Sequence, residues 1–542
     1  MLETQDLSAR RAGLTPAQRA QLQQRLRGAA QMDAAALASP HAIGVRSEPG
    51  KAVLSAAQQR MWFLWRLDPA STAYHVSGGL RLSGALDRQA LAASLQALVA
   101  RHESLRTVFL EKADGNAEPC VRAPESIELP CLDLRGLSPE ALEAQRSPAV
   151  QALRCAPFDL GKGPLMRVLL LQTDAQAYEL VVVMHHIISD GWSVQVILDE
   201  LALQYAARVQ GHEPEWAALP IQYADYAAWQ AQWLAGGESE RQLAWWRAQL
   251  GEEQPALSLH TDRPRRSDGR YRAAQHRMAL PEALVLALRR AAQARGATLF
   301  MALLSGFFAL LQRHTGQTDI RVGVPVASRN RAETAGLVGF FVNTQVLRAR
   351  LDGRTEGAAL LEQTRDAAIG AQAHQDLPFE HLVAALRPER SLSTSPLFQV
   401  MFNHLRRDHR SLAGWPGVAV ERLDFDEEAA QFELTLQTCE TGAGQVEASF
   451  LYASELFDSG TMERMGEHYM ALLQALAERF PKAKRPDIVG CRGGLGCKSL
   501  TMTYFHTGTR TIIGAKSFHC PVRDGKEWYQ LAMVIRHNLE PP

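Results

Sequence analysis

The chain has 542 residues, 46% apolar and 21% charged, with Lys+Arg and Asp+Glu balanced at 58 each. That length exceeds one ordinary core and predicts two or more packed units. The even charge argues against nucleic acid or an anionic membrane surface as a partner, and the basic pairs Arg10-Arg11 and Arg265-Arg266 are too short to form binding patches.

Along the chain, MLETQDLSARRAGLTPAQRAQ lacks an apolar core, so no secretory signal is expected. Residues 1–50 read as a helix over about 15–31, with Pro16 inside its start and Gly28 near its end, followed by a linker. From Leu54 strands and helices alternate. Residues 87–100 start with Asp87 as a cap and carry Leu91, Leu95 and Leu98 on one face, which predicts a helix. Strands are expected at 105–110, 166–171 and 179–186, and a long helix at 192–209. A break at Gly236-Gly237 and a polar loop over 261–269 follow. Helices are then expected at 282–295, 299–315, 355–375 and 459–478, with strands at 319–326, 344–351 and between 418 and 452. The run from Ala297 to Leu311 is too short to span a membrane and reads as a buried helix.

The pattern predicts an α+β chain: an N-terminal helix and linker (1–50), a first lobe (51–233), a second lobe (234–480) and a tail (481–542). The tail shifts to Gly, Arg, Lys, Thr and Cys, and no function is read from it. Seven scattered cysteines, Cys120, Cys131, Cys155, Cys439, Cys491, Cys497 and Cys520, suit a reducing compartment, the cytoplasm.

The sharpest local feature is VVVMHHIISDGWS over 181–193: a β-branched run, two histidines, then Asp190-Gly191 turning into a helix. Alternation along a strand points His185 and His186 to opposite faces, so only one can meet a given cavity. Asp190 can hold the loop through an ion pair. By themselves these residues also fit buried structural histidines, or His186 and Asp190 as two metal ligands with no evident third. No Gly-x-Ser-x-Gly elbow supports a hydrolase.

HHIISDGWS resembles the His-His-x-x-x-Asp-Gly signature of non-ribosomal peptide synthetase condensation domains, in the chloramphenicol-acetyltransferase-like superfamily. LSAAQQRMWFL (54–64) and RHESLRTVF (101–109) resemble the motifs that precede it. YADYAAWQ (223–230), VGFFVNTQVLR (338–348), HQDLPFE (374–380) and RPERSLSTSPLFQVMF (387–402) resemble those that follow, in family order. The resemblance implies two chloramphenicol-acetyltransferase-like lobes in a V-shaped pseudo-dimer, with His186 midway along a central tunnel. It implies that a donor acyl or peptidyl thioester and an acceptor aminoacyl thioester enter on phosphopantetheine arms of upstream and downstream carrier domains. The acceptor amine takes the donor chain, with no cofactor covalently bound to the chain and no metal.

In that reading His186 is catalytic, by removing a proton or by positioning the amine, and the Gly191 N–H at the helix entrance contacts the oxyanion. His185 and Asp190 are structural. Arg329 is the partner that the resemblance gives Asp190, with Arg60 and Arg106 as alternatives. Trp62, Tyr223, Tyr226 and Trp229 read as core or lobe contacts, and Asn343 and Thr344 as ordering the lobe seam. Asp376 and Glu380 read as capping or pairing groups. Epimerisation domains share the histidines but resemble Asp-Gly-x-Ser-Trp, against Asp190-Gly191-Trp192-Ser193 here. A recruitment module that has lost its histidines is the non-enzymatic alternative. No Ser-Gly-Thr-Thr-Gly-like loop of an adenylation domain is found, and Leu495-Gly-Cys-Lys-Ser-Leu500 lacks the preceding sequence of a carrier. LSAAQQRMWFL and YADYAAWQ look more like the subclass that joins an L-donor to an L-acceptor.

Overall fold

Val181 and Val183 are fully buried in the strand Ala177–His185, which is apolar along most of its length because it runs through the middle of a sheet. The computed structural model of the chain describes residues 42–479, apart from 49–50, 215, 267–270, 387–394, 407–409, 426–428 and 442–443, together with 506–507 and 510–511. The helix expected over 15–31 and nearly all of the tail lie outside these residues, as do part of the 261–269 loop and the start of the last motif. The chain divides into two units, Met1–Lys484 and Arg485–Pro542. In the second, His506 pairs with Thr511 and Thr507 with Arg510 in a short antiparallel ladder.

The first unit is α+β, with two main sheets. One has five strands, in the order Val418–Leu423, His75–Gly84, Ala177–His185, Met166–Asp174 and Cys131–Asp133. The other has seven: Ala429–Ala430, Tyr271–Leu280, Val446–Ala453, Leu434–Glu440, Val400–Arg406, Asp319–Val326 and Asn343–Arg350. A separate hairpin joins Thr107–Glu111 to Ala117–Val121. Each main sheet has its own core. The first includes Leu91, Leu98, Leu180 and Tyr205, and the second Phe307, Val346, Phe402 and Tyr469. A third, smaller cluster gathers Ile43, Ile221, Tyr223, Tyr226, Leu337 and Phe341.

The strand Val418–Leu423 lies within the stretch read as second lobe, yet it pairs antiparallel with His75–Gly84 at the edge of the first sheet, Val418 opposite Gly84 and Leu423 opposite Gly79. Val338, Phe340 and Trp415 likewise pack in the first core. The second half therefore lends chain to the first, and a cut in the sequence at 233/234 does not separate the sheets.

Several elements follow from their ends. Thr298 accepts from the Met301 N–H and Gly316 closes the helix Leu299–Thr315 in the left-handed conformation at φ 70°, so both limits match the expected ones. Asp87 caps Arg88–Arg101 through the Gln89 and Ala90 amides. The expected strand at 105–110 starts later, at Thr107, after a 3₁₀ turn Glu103–Arg106. Ser104 Oγ in that turn donates to the Val338 carbonyl at 2.7 Å, drawing the segment toward distant chain before the strand begins.

Candidate active site

The strand Ala177–His185 ends one residue earlier than the sequence suggests, and His186 opens a 3₁₀ turn, His186–Ile188. The His186 N–H still donates to the Tyr74 carbonyl at 2.8 Å, so its backbone stays tied to the neighbouring chain. The two histidines then diverge. His185 is buried at 3% exposure, with its ring edge-on to Phe158 and His75. His186 is partly exposed and lines a cavity of about 2510 Å³ that opens to solvent between the two sheets.

Hydrogen bonds give the rings opposite tautomers. His186 Nδ1 lies 2.6 Å from the Ser189 carbonyl oxygen, which can only accept, so Nδ1 carries the proton and Nε2 keeps its lone pair. Nε2 has no protein partner among the described residues. His185 Nδ1 instead accepts from the Ile187 N–H at 3.1 Å, which places its proton on Nε2. Burial pushes the His186 imidazole below its ordinary 6.5; the bond to Ser189 and the Asp190 charge oppose the fall, and Arg60 adds to it. His186 is thus neutral near pH 7, with a free basic nitrogen.

Burial, helped by His75 and His186, depresses His185 to about 3. Because the unfolded chain takes up that proton near 6.5 and the folded chain only near 3, the folded state loses stability as pH falls from 6.5 toward 3. His185→Asn keeps an acceptor for the Ile187 N–H without a titrating ring. Thermal melts from pH 7 to 4 are expected to fall less steeply in this variant than in the native chain. Equal slopes would remove His185 as a source of acid sensitivity.

Asp190 is wholly buried and caps the helix Gly191–Val209, which starts one residue before the expected Trp192. Its Oδ1 accepts from the Ser193 amide (2.8 Å), Ser193 Oγ (2.7 Å) and Arg329 Nη2 (3.1 Å), and its Oδ2 from the Phe341 amide (3.0 Å). Of the three arginines weighed from the sequence, Arg329 is the one at this carboxylate. Arg60 pairs with Glu380, and Arg106 donates to the Arg122 carbonyl. Arg329 Nη1 also binds the Thr334 and Leu337 carbonyls at 2.7 Å each, and its guanidinium lies 4.0 Å from the Phe341 ring centroid. Ser193, to which the sequence reading gave no role, sits at the hub: its Oγ donates to Asp190, accepts from the Gly339 amide (3.0 Å) and is 2.8 Å from Arg329 Nη2. An Asp followed three residues later by the amide it caps was a readable signal.

Gly191 occupies the first helical position and lines the cavity with His186. Amides of a first helical turn have no acceptor within the helix. The other flank of His186 is Phe340, with ring centroids 4.7 Å apart. Phe340 is held by Tyr223, whose hydroxyl donates to the Phe340 carbonyl at 2.6 Å and contacts Ser55 Oγ at 2.7 Å. Glycine is needed next door: a Cβ on Gly339 would lie 2.0 Å from the Tyr223 ring. Asn343 donates to the Gln375 and Leu377 carbonyls and accepts from the Phe379 amide, which fixes the HQDLPFE loop. Asp376 accepts from Asn330 at 3.1 Å. Trp62 is core, and its indole donates to the Gly115 carbonyl at 3.2 Å. Among the described residues no cluster of three or more His, Cys, Asp or Glu could hold a metal ion, and no helix is long and apolar enough to cross a membrane.

Two mixed sheets, the first of them completed by a strand from the second half of the chain, with a histidine turn facing the space between them, define the two-lobed fold of condensation domains. The model of the Condensation domain family matches residues 48–485, and the chain belongs to that family. One of the linear gramicidin synthase subunits of Brevibacillus parabrevis is 45% identical over 434 residues, covering 78% of this chain and 6% of that protein. The chain spans only 6–8% of the length of this relative and two sister subunits of the same synthase. Among solved structures, the X-domain from teicoplanin biosynthesis superposes with a TM-score of 0.72 at 26% identity, covering 81% of this chain and 99% of that one. The first condensation domain of the calcium-dependent antibiotic synthetase, in complex with a substrate analogue, gives 0.66 at 23% identity, covering 80% and 97%, a likeness of fold.

Proposed function

We propose that this chain forms an amide bond between a donor acyl or peptidyl group and an acceptor aminoacyl group, each presented as a thioester on the phosphopantetheine arm of a carrier domain in the cytoplasm. The observation that carries this reading is the unpartnered Nε2 of a neutral His186 facing an open cavity. Membership in the condensation family adds to it.

The acceptor nitrogen attacks the donor carbonyl, a C–N bond forms and the C–S bond breaks. The proton lost by nitrogen ends on the departing pantetheine sulfur. An α-amino group titrates at about 7.7–8.0, so much of it is already neutral near pH 8 and full deprotonation is not required of the protein. His186 Nε2 is suited to take the proton as the tetrahedral intermediate forms and to hold the nitrogen in place meanwhile. The Gly191 N–H is the donor suited to the oxyanion. Asp190, Arg329 and His185 keep the turn in shape and touch no reacting atom.

Intact-protein mass spectrometry of donor-loaded and acceptor-loaded carriers, run with the chain in D₂O, tests this. The acceptor carrier is expected to gain the donor mass while the donor carrier returns to its free thiol. Deuterium appearing at the α-carbon without amide formation would instead mark an epimerase. Carriers that bind with unchanged masses would mark a recruitment module, a reading supported by the likeness to an X-domain that has been solved in complex with OxyB. The intact His186 turn favours condensation.

A further inference from the structure

Arg60 and Glu380 both line the cavity, and nothing in the proposed chemistry employs them. Arg60 belongs to the helix Ala56–Leu67, whose Met61 and Trp62 pack in the first core. Glu380 belongs to the helix Phe379–Leu386, whose Phe379 and Leu382 pack in the second. Arg60 Nη1 lies 3.1 Å from Glu380 Oε1, so the ion pair joins the two cores. Both side chains line the same cavity as His186.

The Arg60 guanidinium carbon is 5.7 Å from the Phe340 ring centroid, and the same ring lies 4.7 Å from the His186 ring. Glu380 is not a free-swinging carboxylate, because Asn343 accepts from the Phe379 amide and grips the Gln375 and Leu377 carbonyls just ahead of it. With side-chain exposures of 20% and 32%, the pair is partly shielded, so its field is not fully screened by water.

We propose that Arg60 and Glu380 are positioning residues for His186: an ion pair between helices of the two cores, whose charge balance sets the electrostatic environment of the imidazole, so that the seating of the helix Phe379–Leu386 is felt at the ring. The other charged and titratable groups around His186 are Asp190, itself balanced by Arg329, together with His185 and Tyr74. The electrostatics agree in sign, since Arg60 disfavours the imidazolium. Losing Arg60 leaves the Glu380 charge alone and favours the imidazolium. Losing Glu380 leaves Arg60 uncompensated and disfavours it further. A merely structural clasp has no reason to give opposite signs.

The test is an NMR titration of ring-labelled histidine in the full chain without substrate, with the His186 signal assigned by its loss in His186→Ala. Arg60→Gln is expected to raise the His186 midpoint and Glu380→Gln to lower it, each by roughly 0.3–1 unit for a unit charge at this range. The double variant is expected to fall between the two and Arg60→Lys to stay near the native value; if Arg60→Gln fails to fold, the downward shift in Glu380→Gln still tests the pair. Shifts of the same sign in Arg60→Gln and Glu380→Gln, or no shift in whichever of the two folds, would overturn the proposal. This inference takes its importance from the proposed function but is read without it. Opposite midpoint shifts in a chain that makes no amide would sink the function and leave the pair standing. Normal amide formation with unmoved midpoints would do the reverse.

Discussion

His186→Ala is expected to lower amide formation from loaded carriers by about 10²–10⁴-fold, the range of one positioned acid–base group. The fold should survive. The ring is partly exposed and makes one side-chain hydrogen bond, to the Ser189 carbonyl, worth about 1 kcal/mol. If the imidazole acts on the forming intermediate, kcat and kcat/KM should fall together; a rise in KM alone would mean that it only binds the arm. In the native chain kcat/KM should climb as pH rises through the His186 midpoint, which lies below the ordinary 6.5. A folded alanine variant with near-native turnover would end the assignment.

Asp190→Ala should act on stability. The Arg329 side chain is 1% exposed and the Asp190 side chain 0%. Removing the carboxylate leaves a guanidinium buried beside the Phe341 and Ser193 amides, all of which have lost an acceptor. Breaking one side of such a pair costs about 3–5 kcal/mol, and unfolding in denaturant should show it as a lowered midpoint with unchanged slope. Arg329→Lys should also destabilise, because an ammonium cannot reproduce the planar fork that reaches Asp190, Thr334 and Leu337 together. An Asp190→Ala chain as stable as the native one would contradict the network.

The legible parts of the sequence were those with local causes. Leu299–Thr315 carried its cap and its terminal glycine, Asp319–Val326 its apolar run, and the His185-His186 alternation correctly sent one ring to the core and the other to the cavity. The exact end of that strand was not legible, because the turn at His186 depends on Ser189 accepting from the ring. Arg329 lies 139 residues from Asp190, so composition and spacing could not separate it from Arg60 or Arg106, and the family resemblance supplied it. The return of Val418–Leu423 to the first sheet was invisible for a related reason: a short strand shows which face is apolar but not which distant edge it will join. The Arg60–Glu380 pair has no local signature, since each residue sits in a different motif and they meet only after both cores form.

The most direct measurement is alkylation of the native chain by a bromoacetyl pantetheine, followed by peptide mapping. A free Nε2 on an open passage predicts an adduct on His186, none on His185, and faster labelling above the His186 midpoint than below it. An unlabelled His186 in folded protein, under conditions that label exposed histidines elsewhere, would contradict the account.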